Sequence, residues 1–143
     1  KDYVRMQWLM LQQNEPKDYV IATGKQYSIR QFICWAANAL GIEIEFRGSG
    51  LDEVGFVSAI SGTLAPAVKV GQEIIKIDQR YFRPAEVETL LGDPSKAKND
   101  LGWEPEITAL DMCEEMVKED YKAALRMSVL KEHDLDVAIS TEI

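Results

Sequence analysis

Histidine and cysteine are nearly missing from this chain: His133 is the only histidine, and Cys34 and Cys113 are the only cysteines, in 143 residues. That leaves no support for a Ser-His-Asp triad or for a metal site of histidine and cysteine ligands. Both cysteines fall on apolar faces of expected helices, where a buried inert thiol is the ordinary state and a disulfide or a nucleophile is not. Basic charge is scarce as well. With 16 Lys and Arg against 24 Asp and Glu the net charge is −8, which argues against nucleic acid as a partner because binding to a phosphate backbone is dominated by basic contacts. No apolar run has the length of a membrane span, and the first residues lack the charged-then-apolar order of a signal peptide. A soluble cytoplasmic protein with no membrane partner is the expectation. Internal repeats and low-complexity segments are lacking, as are a glycine-rich strand-to-helix turn for a dinucleotide and a Tyr-x-x-x-Lys pair. No catalytic, cofactor-binding or metal-binding residue is therefore assigned.

What is present is a globular composition, 46% hydrophobic, in a chain long enough for one compact core and too short for two ordinary domains. From Tyr3 onward apolar residues wrap much of a helix that ends at Asn14-Glu15-Pro16. That helix has no cap and the chain has no initiator methionine, so a piece of a longer protein is expected. Tyr19-Val20-Ile21-Ala22, ended by Thr23-Gly24, reads as a strand buried on both faces. Ser28 and Gln31 form an S-x-x-Q cap for a helix closed by Gly41, and Ile42, Ile44 and Phe46 alternate with Glu43 and Glu45 as in a strand with one wet face.

Arg47 to Gln72 carries glycines and little period, so it reads as a long excursion with a short strand at Gly55 to Ile60. Glu73 to Asp78 is a further strand. Asp93 caps a short helix with Pro94 at its first position, the helix stops near Leu101-Gly102, and Trp103 is expected to anchor in the core. Thr108 and Asp111 cap the last long helix, whose Leu110, Cys113, Val117, Tyr121 and Ala124 repeat at helical spacing. Its acids Glu114, Glu115, Glu119 and Asp120 read as the wet face of an amphipathic helix.

The chemically richest stretch is Arg80-Tyr81-Phe82-Arg83-Pro84-Ala85-Glu86-Val87, leading into Leu91-Gly92-Asp93-Pro94. Proline pushes the residue before it out of the α region, which holds Arg83 extended with Glu86 three residues on. A guanidinium offers a planar fork to phosphate oxygens, and a carboxylate accepts from hydroxyls such as those of a ribose. Lys69, Lys76, Arg80 and Arg83 lie in one stretch that supplies the local basic charge such an anion needs. A surface salt bridge at a strand-to-turn junction is the competing reading of the same residues.

Nearly the whole chain resembles the C-terminal portion of the extended short-chain dehydrogenase/reductase superfamily, and most closely its GDP-mannose dehydratase branch. The distinctive runs are Lys1-Asp2-Tyr3-Val4-Arg5-Met6-Gln7-Trp8, Val20-Ile21-Ala22-Thr23-Gly24 with Tyr27-Ser28-Ile29-Arg30-Gln31-Phe32, and Tyr81 to Pro94. Leu101-Gly102-Trp103-Glu104-Pro105 is shared across sugar-nucleotide epimerases and dehydratases, whereas Arg83 to Val87 with Leu90-Leu91-Gly92-Asp93 is narrower. The resemblance implies an α/β fold: a substrate-binding lobe of mixed helices and short strands over residues 24–143, with residues 1–23 supplying a helix and the last strand of a Rossmann-type sheet. It implies Arg83 on the diphosphate and Glu86 on the ribose of GDP-mannose, with Arg80 and Tyr81 as weaker contacts.

The implied reaction gives GDP-4-dehydro-6-deoxy-D-mannose and water by internal hydride transfer through NADP, a first step toward GDP-fucose and other GDP-deoxyhexoses. NADP and the catalytic residues are expected in a nucleotide-binding half outside these residues, and the full-length protein is expected to be a homo-oligomer, dimer or tetramer. A related GDP-sugar reductase or epimerase, and a non-catalytic nucleotide-binding or assembly module, are the alternatives. Thr63 to Gln72 and Glu88-Thr89-Leu90-Leu91 favour the dehydratase over the first of these. A glycine-rich turn and a Tyr-x-x-x-Lys pair in the parent gene would dismiss the second.

Overall fold

The computed structural model describes residues 1–83 and 89–133. Within them four helices and a three-stranded antiparallel sheet make a mixed α/β fold. The order is α1 (Asp2–Leu11), α2 (Ile29–Ala39), β1 (Ile42–Arg47), a 3-10 turn (Gly50–Asp52), β2 (Val54–Ile60), β3 (Glu73–Lys76), α3 (Ser95–Leu101) and α4 (Ala109–Glu132).

The sheet runs β1-β2-β3, with Ile42 opposite Ile60, Ile44 opposite Val57 and Val54 opposite Lys76. The alternation in β1 is realised: Ile42 is buried and Ile44 and Phe46 half-buried, while Glu43, Glu45 and Arg47 face water. Its entry needs glycine. Gly41 has φ +74°, and a Cβ there would lie 1.9 Å from the Ser61 carbonyl oxygen, where the Ser61 N–H donates to the Gly41 carbonyl at 2.7 Å.

The short strand expected at Gly55 to Ile60 within the excursion over 47–72 is present as β2, one residue longer, and it is the central strand of the sheet. The remaining loop is tied down too. Ala65 and Val68 pack on the core of Ala37, Ile42 and Val57, and the Val57 N–H donates to the Gln72 carbonyl at 2.9 Å while the Gly71 N–H returns to the Val57 carbonyl at 2.8 Å.

A second core joins α1 to α3: Met6, Ala97 and Trp103 are fully buried, with Leu9, Met10, Tyr19, Ile21 and Leu101 against them. Trp103 anchors there as expected, and its indole N–H donates to the Asp2 carbonyl at 3.1 Å. The Asp2 carboxylate accepts the Glu106 and Ile107 N–H groups, each at 2.8 Å. Residues a hundred positions apart are thereby bracketed together.

The strand expected at Tyr19–Ala22 has no ladder partner among the described residues. Nor is it buried on both faces. Tyr19 and Ile21 turn into the Met6–Trp103 core while Val20 is 52% exposed, because a run of four apolar residues does not reveal by itself whether one face or two are covered.

Two caps follow the expected chemistry: Ser28 Oγ accepts the Gln31 N–H, and Thr108 with Asp111 forms the full reciprocal box on α4. α3 instead begins at Ser95 with Pro94 in the cap position, one residue later than expected, and Asp93 accepts the Ser95 N–H at 2.9 Å. Gly102 closes α3 in the left-handed region at φ +63°. On α4 only Cys113 is fully buried, and burial pushes its thiol pKa up, as an inert core thiol requires; Cys34 is half-buried.

Candidate functional site

β3 leaves the sheet at Lys76 and turns at once. Asp78 makes that turn: its Oδ1 accepts the Arg80 backbone N–H at 2.9 Å, and its carboxylate takes the Arg80 guanidinium through Nε at 3.1 Å and a terminal nitrogen at 2.6 Å. The Tyr81 N–H donates to the Asp78 carbonyl at 3.0 Å, closing the turn. Arg80 also lies over the Tyr81 ring, 5.4 Å from its centroid.

The electrostatic consequence is direct. The Arg80 guanidinium holds the Asp78 carboxyl below the usual aspartate range, with the Arg80 backbone N–H adding to it. In the same way Lys76 is paired with Glu73 at 2.7 Å. Lys76 and Arg80, both expected to contribute to a basic pocket, thus each carry an acid from their own strand or turn, which lowers the local positive charge.

The structure brings Arg80, Tyr81 and Arg83 together at one exposed turn, with the Tyr81 ring 77% accessible and Phe82 beside it. Glu86 lies outside the described residues. Beyond Glu88 the chain returns against the Val20–Ala22 segment so closely that a Cβ on Gly92 would stand 2.6 Å from the Ala22 Cβ and 3.2 Å from a Val20 methyl. At the start of α3 Asp93 accepts the Ser95 hydroxyl at 2.5 Å and the Ser95 N–H, and these bonds hold its carboxyl below the usual range. The arginine turn follows directly on the sheet, and the described chain after Glu88 is fixed by the Gly92 contact and α3.

Asp78 was the member that sequence reasoning missed. Its signal was the Asp78-Gln79-Arg80 spacing, an Asx turn that folds a carboxylate back on an arginine two residues on.

Two grooves lie elsewhere. One of about 590 Å³ has Tyr3, Thr23, Ile107, Ala109 and Met112 in its walls; another of about 400 Å³ separates the end of α2 from α4 at Leu40, Leu64, Val117 and Tyr121. The first turns of α2 and α4 are closed by the side-chain oxygens of Ser28 and Thr108, so neither offers the glycine cradle and open N–H groups that the pyrophosphate of NADP needs. Among the described residues no three His, Cys, Asp or Glu side chains are grouped to hold a metal ion, and no helix is long and apolar enough to cross a membrane.

Comparison with known proteins decides the family. The family model described as GDP-mannose 4,6 dehydratase matches residues 1–116. This chain belongs to that family. It is 64% identical over 142 residues to a GDP-mannose 4,6-dehydratase of Vibrio cholerae, covering 99% of this chain and 38% of the relative. The GDP-mannose 4,6-dehydratase of Yersinia enterocolitica is 58% identical over the same span, and GDP-mannose 4,6 dehydratase 2 of Caenorhabditis elegans is 44% identical over 120 residues, or 84% of this chain and 28% of the relative. The chain spans less than two fifths of the length of these dehydratases.

Proposed function

We propose that this chain is the C-terminal, substrate-binding part of a GDP-mannose 4,6-dehydratase. The full-length enzyme converts GDP-D-mannose to GDP-4-dehydro-6-deoxy-D-mannose and water, on the way to GDP-fucose and other GDP-deoxyhexoses. The observation that carries this reading is the 64% identity over 142 residues, a span that includes the turn presenting Arg80, Tyr81 and Arg83. In this reading the fold is that of an extended short-chain dehydrogenase/reductase. Residues 1–23 belong with its nucleotide-binding half, and NADP and the catalytic groups are held by polypeptide outside this chain.

The chain's own residues bind and orient. Arg83 takes the diphosphate through a charge-assisted fork and Glu86 the ribose hydroxyls, with the Tyr81 ring and Arg80 beside them. Holding the unreactive nucleotide firmly is useful because binding energy gained remotely fixes the sugar at the reacting centre. The enzyme is read as a cytoplasmic homo-oligomer. The test is to incubate the purified full-length protein with GDP-mannose and NADP and weigh the product: loss of one water from the sugar nucleotide supports the reading, and unchanged GDP-mannose, or an isomer of equal mass, overturns it.

A further inference from the structure

Asp78 stands where the sheet ends and the arginine turn begins. Beyond β3 and the half-buried Ile77 the chain makes two successive turn bonds: the Tyr81 N–H donates to the Asp78 carbonyl at 3.0 Å and the Phe82 N–H to the Gln79 carbonyl at 3.4 Å. Arg83 is the next residue. The direction in which its backbone leaves the turn is therefore set by how residues 78–82 wind. The Asp78 side chain supports that winding, because its Oδ1 accepts the Arg80 N–H at 2.9 Å in an Asx turn. Its ion pair with the Arg80 guanidinium is the weaker device. The two side chains are 43% and 76% accessible, so water screens the pair and it holds the turn little, whereas a short local cap on a backbone N–H is effective at a surface.

We propose that Asp78 is a positioning residue for the diphosphate contact: through its bond to the Arg80 N–H it fixes the turn that aims Arg83 at the ligand. The inference rests on the reading that Arg83 takes the diphosphate of GDP-mannose. Without the Asx bond the turn is competent for only part of the time, and GDP affinity falls by that fraction. Arg80 serves the turn through its backbone, so its side chain is dispensable where the side-chain oxygen of Asp78 is not. Asp78 acts on the ligand through Arg83 and needs no contact with it.

Calorimetric titration of GDP and of NADPH into the full-length protein and its Asp78→Ala and Asp78→Asn variants tests this. Asparagine keeps a side-chain oxygen for the Arg80 N–H and loses only the charge. Asp78→Ala should weaken GDP binding by about five- to thirtyfold, the scale of a lost cap, and Asp78→Asn by less than about threefold. NADPH binding should stay as it was in both. In an Arg83→Ala background, Asp78→Ala should weaken GDP binding no further, since no guanidinium is left to aim. Equal losses in the two Asp78 variants overturn the proposal and give the role to the charge. Unchanged GDP affinity in Asp78→Ala, a parallel loss of NADPH binding, or a full further loss on top of Arg83→Ala overturns it too. GDP-mannose turnover by the unmodified protein separates this inference from the reading beneath it. The expected pattern in a protein without dehydratase activity keeps the positioning role and sinks the proposed function; an active enzyme without the pattern does the reverse; a protein that binds no GDP sinks both.

Discussion

Asp78 holds Arg80 by side chain and backbone at once, the carboxylate taking the guanidinium at 2.6 to 3.2 Å and the Arg80 N–H at 2.9 Å. An arginine so occupied has less to give a phosphate, since new anion contacts would have to share its donors with a carboxylate. Arg80 is therefore expected to be a minor contact for the ligand. In the full-length protein Arg80→Ala is expected to weaken GDP binding by less than about fivefold, a small effect on the scale set by charged contacts. A loss from Arg80→Ala as large as that from Arg83→Ala would show that the Asp78 pair opens for the ligand.

Gly92 is a packing device beside that turn. Its contact with Ala22 leaves no room for a methyl group, so Gly92→Ala should destabilise by about 1 to 3 kcal/mol through overpacking. Removing the opposing methyl group in Ala22→Gly, Gly92→Ala should recover part of the loss. A double-mutant cycle by urea denaturation checks it, and simple additivity of the two changes would mean that the segments do not meet.

Trp103, 1% exposed, joins α1 to the residues after α3. Trp103→Ala should cost about 3 to 5 kcal/mol of stability as a large buried ring is lost. Trp103→Phe keeps most of the ring but abandons the bond to the Asp2 carbonyl; the part of its cost due to that bond is about 1 kcal/mol. Chemical denaturation of both variants separates the ring from the hydrogen bond.

Asp2 gives a pH dependence of known sign. The Ile107 N–H, and after it the Glu106 N–H and the Arg5 charge, hold its carboxyl below the ordinary aspartate value of 3.8 despite partial desolvation. The folded pKa lies below the unfolded one, so the stabilisation is complete above the unfolded value and is lost as pH falls through the folded one. Melting temperature should therefore drop on acidification below about pH 4, and drop less steeply in Asp2→Asn. Equal slopes in the two proteins would remove Asp2 from the acid transition.

Local chemistry made much of this legible in advance. The Thr108–Asp111 box, the alternation Ile42-Glu43-Ile44-Glu45 and the Gly102 stop each need only neighbours within four residues, and each formed. Trp103 was placed in the core because an aromatic after a helix stop has little else to do. Long-range choices were hidden: nothing near Asp2 tells that its carboxylate will take the N–H groups of Glu106 and Ile107, and the strand read at Gly55 to Ile60 does not show by itself that it lies at the centre of the sheet. At the candidate site the residue types were readable, but the capture of Arg80 by Asp78 was not, since it depends on how tightly the chain turns after β3. Glu86 lies outside the described residues.

The central claim is that Arg83 holds the diphosphate of GDP. Calorimetric titration of GDP and of NADPH into the full-length protein and its Arg83→Ala variant tests it most directly. A charge-assisted bidentate contact removed from a phosphate should weaken GDP binding by a factor of roughly 30 to 1,000 and leave NADPH binding as it was. Unchanged GDP affinity in Arg83→Ala would contradict the claim outright, and parallel loss of GDP and NADPH would show that the residue holds the fold and not the ligand.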